Sequence, residues 1–488
     1  MTDKPNSPIT SLKGLLPYLR PHRPLLAFWL AALALSSSAT LFFPVAIKHL
    51  VDQGFSRDGD IDRWFILLFA VAALLALATA ARFFFVSLLG EKVVADLRKR
   101  LYAHLIRLDM GFFQETRSGE LLSRLSADAE LLRSVIGSSM SVALRSGITV
   151  IGSAAMMVVT APRLGAFVLV GIPLLVLPMV LSGRGVRGAS QHAQDRLADA
   201  NARAGEAFAA VHTVQSFARE DFETARYDSA IDYALKAARR RISMQSGLTA
   251  LVILLIFGGI TLILWSGARS VVSGQMSAGT LTQFVFYAMI GAGSVGALAE
   301  VWAEVQRAGG GMNRIGELLA RRGALHAAEA ASALPAGELP IRFDDVAFGY
   351  PSRPDERALH GFSLDIRPGE TVALVGPSGA GKSTVFQLLL RFFDPQSGQI
   401  TVGGLDVRQW PAADLRGRIA IVPQDPVIFA GNVRDNIRYG DLDADDAAVI
   451  AACRAAEAWE FVQALPEGLD SELGERGARR SEERRVGK

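Results

Sequence analysis

A glycine-rich loop in the second half of the chain is the clearest sign of chemistry. Residues 376–383 read GPSGAGKS and fit the pattern G-x-x-x-x-G-K-[ST], after the apolar run TVALV and before the helix-like TVFQLLLRFF. Glycines in such a loop let successive backbone N–H groups point at a phosphate, and the helix that follows adds the positive end of its dipole. The motif therefore predicts a site for the phosphates of a nucleotide.

The residue types inside the loop suit this chemistry. Lys382 would reach the β and γ phosphates of ATP, and the Ser383 hydroxyl would help to coordinate a Mg²⁺ ion that bridges them. The alternative is a glycine-rich turn without chemistry, which the strand-like and helix-like neighbours disfavour. The residues predicted to hold the nucleotide in this loop are Gly376, Pro377, Ser378, Gly379, Ala380, Gly381, Lys382, Ser383 and Thr384.

Six segments upstream of the loop are apolar and long enough to cross a hydrocarbon core of about 30 Å, which takes about 20 helical residues. Buried helices of a soluble protein would be shorter and would carry a polar stripe, whereas these runs are apolar on all sides. The third is the weakest because Arg145 lies near its start. The predicted spans are Leu25 to Val51, Trp64 to Leu89, Val142 to Pro162, Leu164 to Gly183, Ile242 to Ser270 and Thr280 to Ala299.

Basic residues predict the orientation of these spans. They crowd the N-terminus and the two long connections, Gly90 to Ser141 and Arg184 to Arg241, so these parts are expected in the cytoplasm. Both connections are rich in Ala, Leu, Arg and Glu and nearly free of proline, which predicts a helical hairpin in each. The turns are predicted near Gly111 to Gly119 and near Phe217 to Asp221.

The pattern changes after residue 320, where an Ala-rich stretch with Pro335 and Pro340 indicates a linker. The β-type runs IRFDDVAFGY, FSLDI, TVALVG, QITVGG and RIAIVP follow it, interleaved with turns and helices. This is typical of an α/β nucleotide-binding domain. We therefore predict an all-α, six-helix transmembrane domain at 1–319, a linker at 320–340 and a partial α/β P-loop domain at 341–479.

Composition excludes several function classes. Half of the 488 residues are hydrophobic, and the net charge of +3 comes from basic residues spread along the chain, which gives nucleic-acid binding no support. Cys453 is the single cysteine, so an intramolecular disulfide and a multi-cysteine metal site are excluded. What remains is a membrane protein with a nucleotide-binding domain.

The sequence from VAFGYPSRPDE through the loop to RIAIVPQDPVIFAGNVRDNIRYG is similar to the ATPase core of B-type ABC exporters. With the six spans and the two long hairpins, the resemblance reaches Ala478 and is to bacterial lipid flippases and multidrug exporters. It implies a type IV exporter fold in the bacterial cytoplasmic membrane, among membrane lipids. It also implies a dimer with a second half-transporter, identical or different, that uses ATP and Mg²⁺ to export or flip an apolar or amphipathic substrate.

The resemblance also implies roles outside the loop. Tyr350 would stack on adenine, although a tyrosine at the end of a strand can equally pack on its sheet. Gln424 would be a catalytic and metal-binding residue, in contact with Mg²⁺ and the attacking water. The turns near Gln114 to Gly119 and Phe217 to Asp221 resemble the coupling helices that dock on nucleotide domains.

The sequence departs from the family pattern after LGERG. The signature motif, the acidic strand with its catalytic glutamate and the histidine loop do not follow, and residues 480–488 read RSEERRVGK. We expect this tail to be non-native, the alternative being an ordinary charged terminus. The chain as written is accordingly expected to keep part of the nucleotide site without hydrolysing ATP, unlike the full-length gene product.

Two functions from different classes fit these features. One is an ATP-driven exporter, and the other is a non-transporting nucleotide sensor or channel regulator on the same membrane scaffold. Gln283 and Tyr287 in the last predicted span could line a substrate cavity. Polar residues in a span more often pack against a neighbouring helix, which favours packing for both.

Overall fold

The structure is a computed structural model that describes residues 13–54, 61–323, 325, 337–353, 356–424 and 426–473. The chain divides into two compact units, Met1–Ala324 and Leu325–Lys488, each with its own apolar core. The predicted tail at 480–488 and most of the predicted linker at 320–340 lie outside the described residues.

Six long helices form most of the first unit. Their bounds are α1, Arg23–His49; α2, Ile61–Leu105; α3, Met140–Thr160; α4, Pro162–Ala209; α5, Glu220–Val272; and α6, Ala278–Ala320. Within the described residues, five helical stretches are long and apolar enough to cross a membrane, and they include every long helix except α4. The fourth predicted span lies inside α4, where the side chains of 169–176 and 178–181 are outside the described set. The helical transmembrane domain is confirmed.

Proline explains why α3 and α4 are separate helices. Pro162 is the first residue of α4, and Ala161 before it has φ −147° and ψ 83°. The proline ring disfavours the helical conformation for the preceding residue, and its own fixed φ suits the first position of a helix. The chain therefore turns sharply at Ala161 instead of continuing as one helix.

The first long connection, after α2, is built from short helical pieces. These are α-helical at Met110–Glu115, Ser118–Ser123 and Ala129–Ser134, with π-helical turns at Arg124–Asp128 and Val135–Ser139. Asp109 begins the first piece by accepting a hydrogen bond from the Phe112 N–H at 3.0 Å. This N-cap fixes the chain reversal close to the predicted turn.

The second long connection reverses between α4 and α5. A short helix at Val211–Ser216 follows α4, and α5 begins at Glu220. Ala218 between them has φ +49°, a left-handed conformation that helices do not contain. The reversal lies within the predicted turn, whereas the short helix lies just before it.

A buried carboxylate connects the first connection to α6. Asp128 is 4% exposed and accepts hydrogen bonds from Arg124 at 3.1 Å and from two nitrogens of Arg314, one at 3.0 Å. Removing these cations would leave a buried charge uncompensated, which is strongly destabilising. The ion pair lies beside an apolar cluster whose buried members include Leu89, Val93, Leu97, Leu101, Leu132, Ile136 and Ile315.

Gln283 and Tyr287 on α6 are buried, at 3% and 0% exposure. The Tyr287 hydroxyl donates to the Leu41 carbonyl of α1 at 2.7 Å. Phe284 and Tyr287 belong to an apolar cluster with Met157 and Leu164. The contacts of Tyr287 are those of a residue that packs between helices, and Gln283 is buried one turn before it on the same helix.

The strands described in the second unit are β1, Ile341–Gly349; β2, Arg357–Ile366; β3, Ser397–Val402; β4, Leu405–Asp406; β5, Gly431–Asn432; and β6, Glu472–Leu473. The first four form an antiparallel sheet in the order β2, β1, β3, β4. Ile341 of β1 pairs with Ile366 of β2 on one side and with Val402 of β3 on the other. The buried side of the sheet packs Phe343, Phe348 and Ile400 against Leu388 and Trp410. The α-helices described in the second unit are α7, Lys382–Leu389, and the shorter helices at Ala412–Arg416, Val433–Ile437, Asp446–Ala455 and Trp459–Gln463.

The prediction of strands at TVALVG and RIAIVP is wrong for the described structure. Thr371 to Gly376 and Ile419 to Pro423 have no strand assignment. A β-run becomes a strand only when a neighbouring strand completes its hydrogen-bond ladder, and neither segment has one among the described residues. Val375 and Val422 are consequently 88% and 95% exposed. The overall class, a helical membrane domain followed by a P-loop nucleotide-binding unit, is confirmed.

A glycine contact between α2 and the first connection yields a stability prediction. A Cβ added at Gly90 would lie 2.8 Å from the Gly137 Cα, whereas a Cβ at Gly137 would meet nothing closer than 3.8 Å. Gly90→Ala should lower the free energy of unfolding by about 1–3 kcal/mol through overpacking, despite alanine's better helix propensity. Gly137→Ala is the control and should keep or raise it. Melting curves of the purified chain in detergent measure both, and equal melting temperatures would refute the contact.

Candidate functional site

The glycine-rich loop leads directly into α7. Gly379 and Gly381 have φ +86° and +83°, which only glycine adopts without strain. Gly381 also packs tightly, because a Cβ there would lie 2.6 Å from the Ala358 carbonyl oxygen of β2. α7 begins at Lys382, so its unpaired backbone N–H groups and its positive dipole end are at the loop. The local geometry is that of an anion-binding loop.

A cavity of about 460 Å³ lies in front of this loop. It brings together seven of the nine residues predicted from the loop motif and the two predicted from the resemblance, although Tyr350, Lys382 and Gln424 are far apart in sequence. Gly376 and Pro377 are not part of the lining. The predicted residues that line the cavity are Tyr350, Ser378, Gly379, Ala380, Gly381, Lys382, Ser383, Thr384 and Gln424.

Lys382 directs its ammonium group back into the loop. Its Nζ donates hydrogen bonds to the carbonyl oxygens of Gly376 at 2.8 Å and of Pro377 at 2.7 Å. An ammonium group has three donors, and phosphate oxygens are stronger acceptors than neutral carbonyls. Gly376 and Pro377 thus hold the lysine at the loop, where a phosphate could replace one of these carbonyl contacts.

Tyr350 is half-buried at the edge of the cavity. Its hydroxyl is 2.9 Å from the Thr384 hydroxyl and donates to Gln387 Oε1 at 3.0 Å. Its ring packs edge-to-face on Phe348 and Phe393, with centroids 5.1 and 5.5 Å apart. Tyr350 therefore packs on the sheet and lines the cavity at once. Thr384 is 4% exposed, and its hydroxyl forms a hydrogen bond with the Tyr350 hydroxyl.

Ser383 and Gln424 are exposed on the wall of the same cavity. Their hydroxyl and amide oxygens are the hard ligands that Mg²⁺ accepts alongside phosphate oxygens and water. Among the described residues there is no group of three or more His, Cys, Asp or Glu that could hold a metal alone. These two oxygens thus suit a metal ion that arrives with a nucleotide, and they do not form a cage by themselves.

Four lining residues were not predicted from the sequence. Arg353 and Glu356 flank the turn between β1 and β2 and form an exposed ion pair at 3.5 Å, while Arg357 and Ala358 begin β2. Arg353, a cationic residue three positions after Tyr350, was the sequence feature that could have pointed to this part of the cavity. It was ambiguous, because charged residues are common in exposed turns.

Comparisons with known proteins agree with this geometry. Residues 26–295 match the family description "ABC transporter transmembrane region", and residues 359–479 match "ABC transporter". The chain belongs to the ABC transporter family. The second match begins in β2 and contains the loop and α7.

Relatives place this ABC transporter in the B group of half-transporters. It is 32% identical to ABC transporter B family member 1 of Dictyostelium discoideum over 97% of the chain and 52% of that protein. It is 30% identical to an export ATP-binding/permease protein of Rickettsia conorii, over 97% of the chain and 82% of the relative. It is 34% identical to the mitochondrial potassium channel ATP-binding subunit of Rattus norvegicus, over 94% and 66% respectively. The chain thus spans about half the length of the first relative.

Replacing Lys382 tests the loop. Lys382→Ala should weaken binding of a fluorescent ATP analogue by about tenfold or more, because charge-assisted hydrogen bonds to phosphate are lost. Lys236→Ala removes an exposed lysine from α5 and is the matched control. Fluorescence titration of the purified chain measures both affinities. Equal affinities for the two variants would contradict the site.

Two substitutions at Tyr350 separate stacking from hydrogen bonding. Tyr350→Phe keeps the ring and removes the hydrogen bonds to Thr384 and Gln387. Nucleotide affinity should therefore change less than about threefold, which is roughly the net contribution of one hydrogen bond. Tyr350→Ala removes the ring and should weaken binding by about tenfold. The same titration, with melting temperatures recorded beside it, measures both. If Tyr350→Ala lowers only the melting temperature, the ring packs on the sheet without contacting the nucleotide.

Proposed function

We propose that the chain is the half of a dimeric B-type ABC exporter that couples ATP to moving a substrate across the cytoplasmic membrane of a bacterium. The observation that carries the proposal is the cavity formed by Tyr350, the glycine-rich loop and Gln424, in a chain that also contains membrane-spanning helices. The name of the Rickettsia relative, an export ATP-binding/permease protein, supports export and a bacterial membrane.

The chain's own residues supply most of the proposed chemistry. Backbone N–H groups at the start of α7 and the Lys382 ammonium hold the phosphates, and the Tyr350 ring supports the adenine. Gln424 orients the attacking water from the wall of the cavity. Ser383 and Gln424 would hold a Mg²⁺ ion, which would neutralise the charge on the phosphates.

Dimerisation converts nucleotide binding into movement. ATP that contacts the nucleotide units of two half-transporters binds their closed arrangement more tightly than the open one. A ligand shifts such an equilibrium only by this difference in affinity. The second half-transporter is either another copy of this chain or a different chain. The cargo is apolar or amphipathic and reaches the helices from the surrounding lipid. ATP turnover belongs to the full-length gene product, and the 488-residue chain by itself is expected to release no phosphate above background.

A second candidate is a non-transporting nucleotide sensor or channel regulator. The relative from Rattus norvegicus is named as the ATP-binding subunit of a mitochondrial potassium channel and is 34% identical over 94% of the chain. The same membrane scaffold and the same loop would then report nucleotide to a channel instead of moving cargo.

Reconstitution of the full-length gene product into vesicles separates these candidates. An exporter should show ATP-dependent accumulation of labelled lipids or drugs inside inverted vesicles, with ATPase stimulated by the same compounds. Lys382→Ala should abolish both, and Lys236→Ala should abolish neither. A regulator would bind ATP at Lys382 and move no compound from the panel. That outcome would reject export and retain the nucleotide site.

A further inference from the structure

An acidic residue lines the cavity that is proposed to hold a polyanion. Glu356 is part of the same cavity wall as Tyr350 and Lys382. A carboxylate repels the phosphates of a nucleotide, because both groups are negatively charged and ionised phosphate oxygens are acceptors. Glu356 therefore opposes nucleotide binding unless it accepts a hydrogen bond from another part of the ligand. Its place in the wall indicates that the ligand has a donor group nearby.

The ion pair that Glu356 forms leaves one of its oxygens available. Arg353 Nη1 is 3.5 Å from Glu356 Oε2, and the two side chains are 75% and 74% exposed. Exposed pairs of this kind contribute little to stability, so stability does not account for the carboxylate. Oε1 accepts no hydrogen bond from the part of the chain that the structure describes. This oxygen can accept from a ligand in the cavity.

The backbone at Glu356 connects the tyrosine end of the cavity to the glycine-rich loop. A Cβ at Gly349, the neighbour of Tyr350, would lie 2.9 Å from the Glu356 carbonyl oxygen. Two residues later, the Ala358 carbonyl oxygen would lie 2.6 Å from a Cβ at Gly381 of the loop. The chain is extended here as the start of β2, and two extended residues cover about 7 Å. Glu356 thus lies between the ring proposed to support adenine and the loop proposed to hold the phosphates.

Ribose is the part of ATP that joins adenine to the phosphates, and its two neighbouring hydroxyl groups are hydrogen-bond donors. In dinucleotide-binding folds an acidic residue accepts a hydrogen bond from the 2′ hydroxyl of the ribose in the same way. The adenine amino group is the other donor of the nucleotide, but it lies at the end of the base away from the sugar. The position of Glu356 between the two ends of the cavity therefore favours the ribose.

We propose that Glu356 accepts hydrogen bonds from the ribose hydroxyls of the bound nucleotide, so that the site prefers ribonucleotides to 2′-deoxyribonucleotides. Arg353 holds the other carboxylate oxygen and offsets the repulsion between Glu356 and the phosphates. This inference rests on the proposed function, because it assigns a sugar specificity to the proposed nucleotide site.

Isothermal titration calorimetry of the full chain in detergent, with ATP and with 2′-deoxy-ATP, tests the proposal. The unmodified chain should bind ATP about tenfold more tightly, because 2′-deoxy-ATP lacks a hydrogen bond to a charged group. Glu356→Ala should lower this ratio to less than about twofold, and Glu356→Gln, which keeps a neutral acceptor, should give an intermediate ratio. Both nucleotides carry the same phosphates, so a change in general charge alters both affinities alike and leaves the ratio unchanged.

A second carboxylate and a second base are the controls. Glu460→Ala removes an exposed carboxylate of the same unit that does not line the cavity, and it should keep the tenfold ratio. Inosine triphosphate lacks the adenine amino group, and Glu356→Ala should not change its affinity relative to ATP.

Three results would overturn the proposal. These are equal affinities of the unmodified chain for ATP and 2′-deoxy-ATP, an unchanged ratio in Glu356→Ala, and a Glu356→Ala effect confined to the comparison with inosine triphosphate. If ATP binds without any preference for ribose, only the sugar specificity is rejected. If the unmodified chain binds no ATP at all, the proposed nucleotide site is rejected with it.

Discussion

The charge on a nucleotide's phosphates is the constraint on which the second unit depends. Backbone N–H groups can meet this charge only where a chain turns sharply and a helix begins, because elsewhere they are already paired. In this chain the turn needs left-handed backbone at Gly379 and Gly381, and Gly381 lies against β2 without room for a side chain. The apolar core between β1, β2, β3 and α7 holds this turn in place. Lys382 and Tyr350 then reach the cavity from α7 and β1.

The membrane unit obeys a different constraint, which is that buried charge must be compensated. Asp128 satisfies it within the chain, because Arg124 and Arg314 surround the carboxylate. Arg82 instead contacts the Ser141 hydroxyl, and the buried Nε atoms of Arg82 and Arg145 have no hydrogen-bond partner in the part of the chain that the structure describes. The ion pairs of Asp128 stabilise the packing of the first long connection against α6.

Features that depend on local sequence were predicted well, and features that depend on long-range contacts were not. The loop at 376–383 and the long helices depend on short-range geometry and hydropathy, so their residues alone indicate them. The segments at 371–376 and 418–423 looked like strands, but strands depend on partners that a local pattern does not contain. The contact between the Tyr350 and Thr384 hydroxyls joins residues far apart in sequence. Only the fold brings them together, whereas Arg353 was missed because charged residues are common in exposed turns.

The central claim is that one loop of a membrane-embedded protein holds the phosphates of ATP. An acyl-phosphate derivative of ATP, which transfers its acyl group to a lysine lying against the phosphates, tests this most directly. The protein is labelled in isolated membranes, extracted with detergent, digested and sequenced by mass spectrometry. The account predicts that the label is on Lys382, that excess ATP prevents labelling, and that the labelled protein is in the membrane fraction. A label on other lysines that ATP does not suppress, or labelled protein in the aqueous fraction before detergent is added, would contradict it.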